Sequence, residues 1–340
     1  MTDRPTLAER WDRRVAALAA SRLPLGTWSV LVLAGVAALV CAMVPVGPDW
    51  LGAAGAVVIA SAYSWALAAR TGGRAVVFGT LAALIGTAAV VIDLDELRTG
   101  AAVLTCSVSA VLGVMATKPA VTFLRTVREC VIAVLIAGVG ALATVGFEPA
   151  IAVTRFEYAT LGLAVVGAFA VVFRLGAGLH GLGRRGLVIV VIGGLVLALL
   201  LAYAELLRRY GTNDLVSSLL DLVRWSRDHL GAFPRPIVAI LGIPALAYGC
   251  HMRARRRQGW WVCAFGAAAT AAVASSLANP TISRTESLLS LVYGLLIGLV
   301  LGFVLIRLDL FFTGSRGRRS RGAEEAAALR PEPPRTAPLL

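Results

Sequence analysis

About ten apolar segments run the length of this chain, and the arginines gather in every second gap between them. A segment of roughly 20 apolar residues spans a hydrocarbon core ~30 Å thick, and a backbone placed there must satisfy its own hydrogen bonds, which leaves helices as the fold available to such a pattern. The segments run Thr27 to Val46, Trp50 to Ala69, Ala75 to Ile92, Gly100 to Thr117, Glu129 to Phe147, Glu157 to Phe173, Leu187 to Leu207, Pro236 to Cys250, Gly259 to Ala278 and Ser287 to Ile306. Only the eighth is short. Cytoplasmic loops retain Arg and Lys. With the N-terminus inside, the outer loops carry only Arg98, Arg155 and Arg284, apart from one long segment around Arg208 to Arg235. The expected fold is an all-α polytopic membrane protein with about ten transmembrane helices and both termini cytoplasmic.

Composition agrees. Hydrophobic residues make up 58% of the 340 and charged residues 15%, against about 25% charged in soluble domains. The net charge of +13 would suggest nucleic acid in a soluble protein. Here the basic residues lie at membrane boundaries, so nucleic acid is not expected and membrane lipids, including anionic headgroups, are the expected partner. Lys118 is the only lysine in a chain rich in Ala, Gly and Val, which suggests a GC-rich genome and hence a bacterial cytoplasmic membrane. The five cysteines, Cys41, Cys106, Cys130, Cys250 and Cys263, show no paired spacing and read as buried apolar thiols, with no metal and no cofactor implied.

Three regions flank or interrupt the spans. Residues 1–26 read as a cytoplasmic segment: a capping box at Thr6 to Glu9 opens a short helix with Trp11, Val15 and Leu18 on one face, suited to the inner membrane surface. Within the transmembrane domain, 27–308, the stretch from about 213 to 231 reads as an amphipathic helix on the outer surface. It opens at Asn213, ends at Gly231, and could cap a cavity, dock a partner or lie at the interface. Residues 309–340 are basic and then Pro-rich, the composition of a disordered cytoplasmic tail. Arg316, Arg318, Arg319 and Arg321, with Arg253, Arg255, Arg256 and Arg257, are expected to meet lipid headgroups.

No span carries a charge at its middle, and Glu129, Glu157 and Glu205 fall at span ends where water can reach them, which argues against a carboxylate-driven proton pump. The hydroxyls nearest mid-membrane are Thr105, Ser107 and Ser109, beside Cys106, with Ser61, Tyr63 and Ser64, and Ser275 and Ser276. They line a pathway or, as such hydroxyls more often do, bond back to their own helices. Gly242 and Pro244 interrupt the short eighth span as in the broken helices of transporters. Gly294, Gly298 and Gly302 recur every fourth residue, a bare face for a close helix contact within the bundle or with a second protomer or membrane-protein partner.

Asp93, Asp95 and Glu96 form an acidic cluster on an outer loop. In residue type it resembles the metal-binding or acceptor-activating acids of membrane glycosyltransferases that use polyprenyl-phosphate sugars, a resemblance that implies outer-face catalysis by those acids. It covers four residues and lies in the second outer loop, whereas that class carries it in the first. Gly176 to Gly181 spells G-x-G-x-x-G but joins two membrane helices, without the strand a dinucleotide site requires. Cys250 beside His251 lacks further metal ligands.

The first functional reading is therefore a permease- or flippase-like carrier of a neutral or lipid-like molecule, with Thr105, Ser107, Ser109, Gly242 and Pro244 on its pathway. The second is a non-catalytic membrane component of an envelope-building or other complex. The third, and least favoured, is an enzyme: the outer-face glycosyltransferase.

Overall fold

A computed structural model of the chain describes residues 23–44, 46–150, 152–175, 183–209, 214–255, 258–279, 282–313 and 332–339. Among these residues twelve α-helices succeed one another in this order: α1 Leu23–Met43, α2 Leu51–Arg70, α3 Ala75–Ile92, α4 Asp95–Met115, α5 Phe123–Gly146, α6 Val153–Leu175, α7 Gly183–Arg209, α8 Asp214–Leu230, α9 Ile243–Arg253, α10 Gly259–Ala264, α11 Gly266–Leu277 and α12 Arg284–Thr313. A π-helical stretch, Ile237–Gly242, leads directly into α9. Nine helical stretches among the described residues are long and apolar enough to cross a membrane, α10 and α11 counting together as one. The expected eighth span is a shorter apolar helix, Ile237–Arg253. The protein is a multi-pass, all-α membrane protein.

Small residues set the centre of the bundle. The Gly259–Leu277 stretch is the most enclosed of the nine, with 89% of its apolar window buried. Its α11 portion, GAAATAAVASSL, packs against α4, α5, α6 and the π-helical stretch. Alanine and glycine let helix backbones approach closely where lipid supplies no hydrophobic drive between helices. At Gly113 on α4 a Cβ would stand 2.9 Å from the Ala133 carbonyl oxygen on α5. Thr270 on α11 donates to the Ala110 carbonyl of α4 at 3.1 Å. Cys106, Cys130, Cys250 and Cys263 lie in this core, while Cys41 is exposed. By contrast α7, whose apolar window is 0% buried, and α1 and α3, at 11% each, present most of their apolar side chains outward, the burial a bilayer supplies.

The π-helical stretch follows from Pro244. Proline has no N–H to continue the α-helical ladder, and the Ile243 N–H instead reaches back five residues to the Val238 carbonyl. Gly294, Gly298 and Gly302 of α12 all face this broken helix. Their missing side chains would meet Val238, Ile243 and Ala247 respectively, so the glycine seam is a contact inside the bundle.

Candidate functional site

Between α2, α3, α4 and α6 lies a crevice of about 330 Å³. Helix α3 packs on α2 through Gly79, which sits against Trp65, and Gly86, which sits against Val57. On its other side α3 leaves space towards α4, floored by Ala101, Leu104, Thr105 and Val108. Phe78, Leu81, Ile85 and Leu104 line the crevice yet remain 51%, 48%, 43% and 48% exposed, so its flank is open to the surroundings of the bundle. Its walls are overwhelmingly apolar. Thr71 and Arg174 stand at the end formed by the last turns of α2 and α6, Ser64 and Thr105 lie along its length, and Phe147 lies at the opposite end.

The sequence candidates divide around this crevice. Thr105 is on its wall. Ser107 and Ser109 are buried and donate to the carbonyls of Val103 and Thr105, at 2.8 and 2.6 Å, the packing role that hydroxyls in membrane helices often take. Gly242 and Pro244 are in the closed core: a Cβ on Gly242 would stand 2.4 Å from the Ala269 side chain and 2.5 Å from its backbone nitrogen.

The acidic cluster lies at the far end of the bundle, and one of its members, Asp93, is clamped by Arg98. Asp93 caps α3 with φ 57°, and Glu148, just past α5, has φ 51°. Arg98 bridges both, at 2.7 Å to Asp93 and 3.0 Å to Glu148. Asp95 and Glu96 occupy the first turn of α4, where negative charge meets the positive end of a helix dipole. No group of three or more His, Cys, Asp or Glu residues arranged to hold a metal occurs among the described residues.

A second chamber, about 370 Å³, lies beneath α8 and between α6, α7 and α12. Arg227 of α8 pairs with Glu286 at 2.9 Å, and the last residue of α8 and the chain just beyond it are held to α12 by Tyr293 donating to the Leu230 carbonyl and Ser290 to that of Phe233. Val223 and Arg227 of α8 line this chamber. Arg235 enters the chamber wall, donating to Glu157 at 3.3 Å and to Ser275 at 3.0 Å. Burial lowers its guanidinium pKa, and the neighbouring Glu157 opposes that shift.

The densest polar network was absent from the sequence expectations. It sits at the end of the bundle where α2, α4 and α9 finish and α5 begins. Arg253, expected at lipid headgroups, is 1% exposed. It donates to the Thr117 hydroxyl at 2.8 Å and to the Thr117 carbonyl at 3.0 Å, and its guanidinium stacks 3.4 Å from the Trp260 ring centre. Glu129, expected within reach of water, is likewise 1% exposed; it accepts from the Lys118 N–H at 2.8 Å and from Arg128. Arg70 donates to the Met115 carbonyl at 3.1 Å. Segment 332–339, from the stretch read as a disordered tail, packs here: Glu332 pairs with Arg253 and Arg335 with Glu129. Arg256, Arg257, Arg316, Arg318, Arg319 and Arg321, and the N-terminal segment with its capping box, lie outside the described residues.

Comparison with known proteins yields no relative: no family model matches the chain, and neither does any curated protein or solved structure. The class defined by the structure is thus a multi-pass helical membrane protein, and the functional argument rests on its cavities.

Proposed function

We propose that the protein is a permease- or flippase-like carrier of a lipid-like molecule in a bacterial cytoplasmic membrane. The observation that carries this reading is the flank-open apolar crevice between α3 and α4. A soluble substrate would gain little from such walls. An acyl or prenyl chain would lie along Leu81, Ile85 and Leu104, each buried methylene contributing ~0.8 kcal/mol. Arg174 and Thr71 at one end suit a phosphate or hydroxyl headgroup. The Arg70, Lys118, Arg174 and Arg253 end is the cytoplasmic one in this reading, on the distribution of basic residues between loops.

The test is reconstitution into phosphatidylcholine liposomes with a fluorescent phospholipid or a fluorescent prenyl phosphate, following the loss of outer-leaflet fluorescence on adding dithionite. Carriage predicts faster bleaching of the inner-leaflet pool with protein than without it. Ala82→Trp, which fills the crevice, should return the rate to the protein-free level while leaving thermal stability in detergent within a few degrees. No acceleration with either probe, or an unaltered rate in Ala82→Trp, would remove the carrier reading. The glycine seam no longer favours the complex-component reading, because its partner is the broken helix of the same chain.

A further inference from the structure

The polar network at the cytoplasmic end has two parts that the chain supplies from very different positions. The bundle provides Arg70, Thr117, Glu129 and Arg253, and each of the three charged groups is already fixed by a partner within the bundle: Arg70 by the Met115 carbonyl, Glu129 by the Lys118 N–H, and Arg253 by Thr117 and the Trp260 ring. Each also has capacity left over. The remaining donors of Arg253, Nε and one terminal nitrogen, go to the two oxygens of Glu332. Arg70 donates to the carbonyls of Pro334 at 2.7 Å and Ala337 at 2.6 Å, and its own carbonyl accepts from the Leu339 N–H at 2.8 Å. Arg335 reaches Glu129 with one nitrogen and the Ala116 carbonyl with another, the latter at 2.9 Å. The Leu339 side chain rests on the main hydrophobic core.

We infer that this end of the bundle is a peptide-binding socket, and that residues 332–339 are its ligand in cis. What the socket recognises is an extended peptide with an acid three residues before a base, Glu332 and Arg335, followed by main-chain carbonyls and an apolar residue. Three features separate a bound ligand from a mere continuation of the fold. The socket residues are oriented by bundle partners and not by the segment itself. The contacts read both side-chain charges and the peptide backbone, as in other modes of peptide recognition. The segment touches the socket across long sequence separations, |i−j| being 264 and 267 for the two bonds to Arg70 and 79 for the pair with Arg253, and residues 314–331 intervene between it and α12. Without the segment the buried Arg253 guanidinium loses its carboxylate and keeps only neutral partners, among them the oxygens of Thr117, which is unfavourable for a buried charge, so the emptied socket has a standing affinity for a peptide of this pattern. The inference does not depend on what the crevice carries.

The experiment keeps the chain whole until it has folded. A protease site is placed within residues 314–331, the purified protein is cleaved in detergent, and retention of the released fragment is followed by gel filtration and mass spectrometry. A dye-labelled peptide spanning residues 332–340 is then titrated, its exchange followed by fluorescence anisotropy. The fragment should stay with the bundle and exchange saturably with the labelled peptide. Peptides carrying Glu332→Ala or Arg335→Ala should compete about tenfold or more weakly, the loss expected for one charged hydrogen-bonded contact. Because these substitutions are in the peptide, the folding of the bundle is untouched. Immediate loss of the fragment, or equal competition by the parent and substituted peptides, would overturn the socket. So would displacement by phosphatidylethanolamine bicelles as effective as by the peptide, since that lipid offers a phosphate and an ammonium without the peptide backbone.

Discussion

The two ends of the bundle use the same residue types to opposite effect. At the end that the proposed topology places outside, Arg98, itself 18% exposed, pairs with Asp93 and Glu148, whose side chains are 69% and 70% exposed. At the end it places in the cytoplasm, the side chains of Arg253 and Glu129 are 0% and 1% exposed, with those of Glu332 at 12% and Arg335 at 31%. Exposed ion pairs are screened by water and contribute about 0 to 1 kcal/mol. A buried charge whose partner is removed costs about 3 to 5 kcal/mol, because its desolvation is no longer offset. The difference lies in what surrounds each pair. The outer acids stand on two-residue and loop connections at the rim, whereas Glu129 and Arg253 are enclosed by the ends of α2, α4, α9 and the 332–339 segment. Local burial, and not the number of charges, decides which end holds the fold.

The largest expected effect follows at Glu129. Glu129→Ala strips Arg335, Arg128 and the Lys118 N–H of a shared buried acceptor; both arginines keep some exposure, at 31% and 60%, so the loss should be about 3 kcal/mol, read as a lowered unfolding midpoint in detergent. Glu129→Gln, which keeps an acceptor for the Lys118 N–H, should lose less. A midpoint drop no larger than that of an outer-end variant would erase the contrast between the ends. Next comes the seam between α12 and the broken helix. Gly298→Leu would force a side chain into Ile243, whose Cβ lies 2.6 Å from the position a Cβ would take; overpacking of this kind costs about 1 to 3 kcal/mol. That variant tests packing alone, without charge, and so calibrates the electrostatic loss at Glu129. Arg98→Ala should cost about 1 kcal/mol, since the two acids it leaves unpaired are exposed to water.

How much of this was legible in the residues depends on range. Helix α3 runs Ala75–Ile92, the bounds the apolar pattern predicts, because Arg74 and Asp93 mark both edges. The amphipathic stretch expected near 213–231 is Asp214–Leu230, since its charged and apolar faces repeat at a helical period. Glu129 shows where such reading ends. Apolar content suggested a span beginning at that glutamate, but Thr122 caps the helix, its side chain accepting from the Arg125 N–H, and α5 starts at Phe123. Glu129 therefore lies well inside the helix and is enclosed by its neighbours. A Thr followed by six further residues of helix-compatible sequence was the local signal available. The glycine repeat announced a close contact, yet only the fold shows that its partner is the π-helical stretch ahead of Pro244. Likewise, nothing within the polar, Pro-rich tail composition reveals that Glu332 and Arg335 match the charges of Arg253 and Glu129 more than 70 residues away, because complementarity of that kind is a property of the assembled bundle.

The smallest effect is expected where the sequence first drew attention to chemistry. Asp95→Asn leaves the Arg98 clamp untouched, because Arg98 bonds Asp93 and Glu148, and removes only a favourable charge from the first turn of α4, worth about 0.3 to 1 kcal/mol. Lipid movement in liposomes should stay within error of the parent protein, and the unfolding midpoint should fall by no more than in Arg98→Ala. Comparing Asp95→Asn with Arg98→Ala in the same assay separates two meanings of the acidic cluster. If the acids are structural, the arginine variant is the less stable of the two and the aspartate variant is silent in lipid movement. If Asp95 acts on a substrate, the order reverses: the aspartate variant loses function at unchanged stability. A lipid-linked precursor accumulating in cells that carry only Asp95→Asn would then move catalysis to the outer end, and the contrast between the two ends would become one of chemistry against structure.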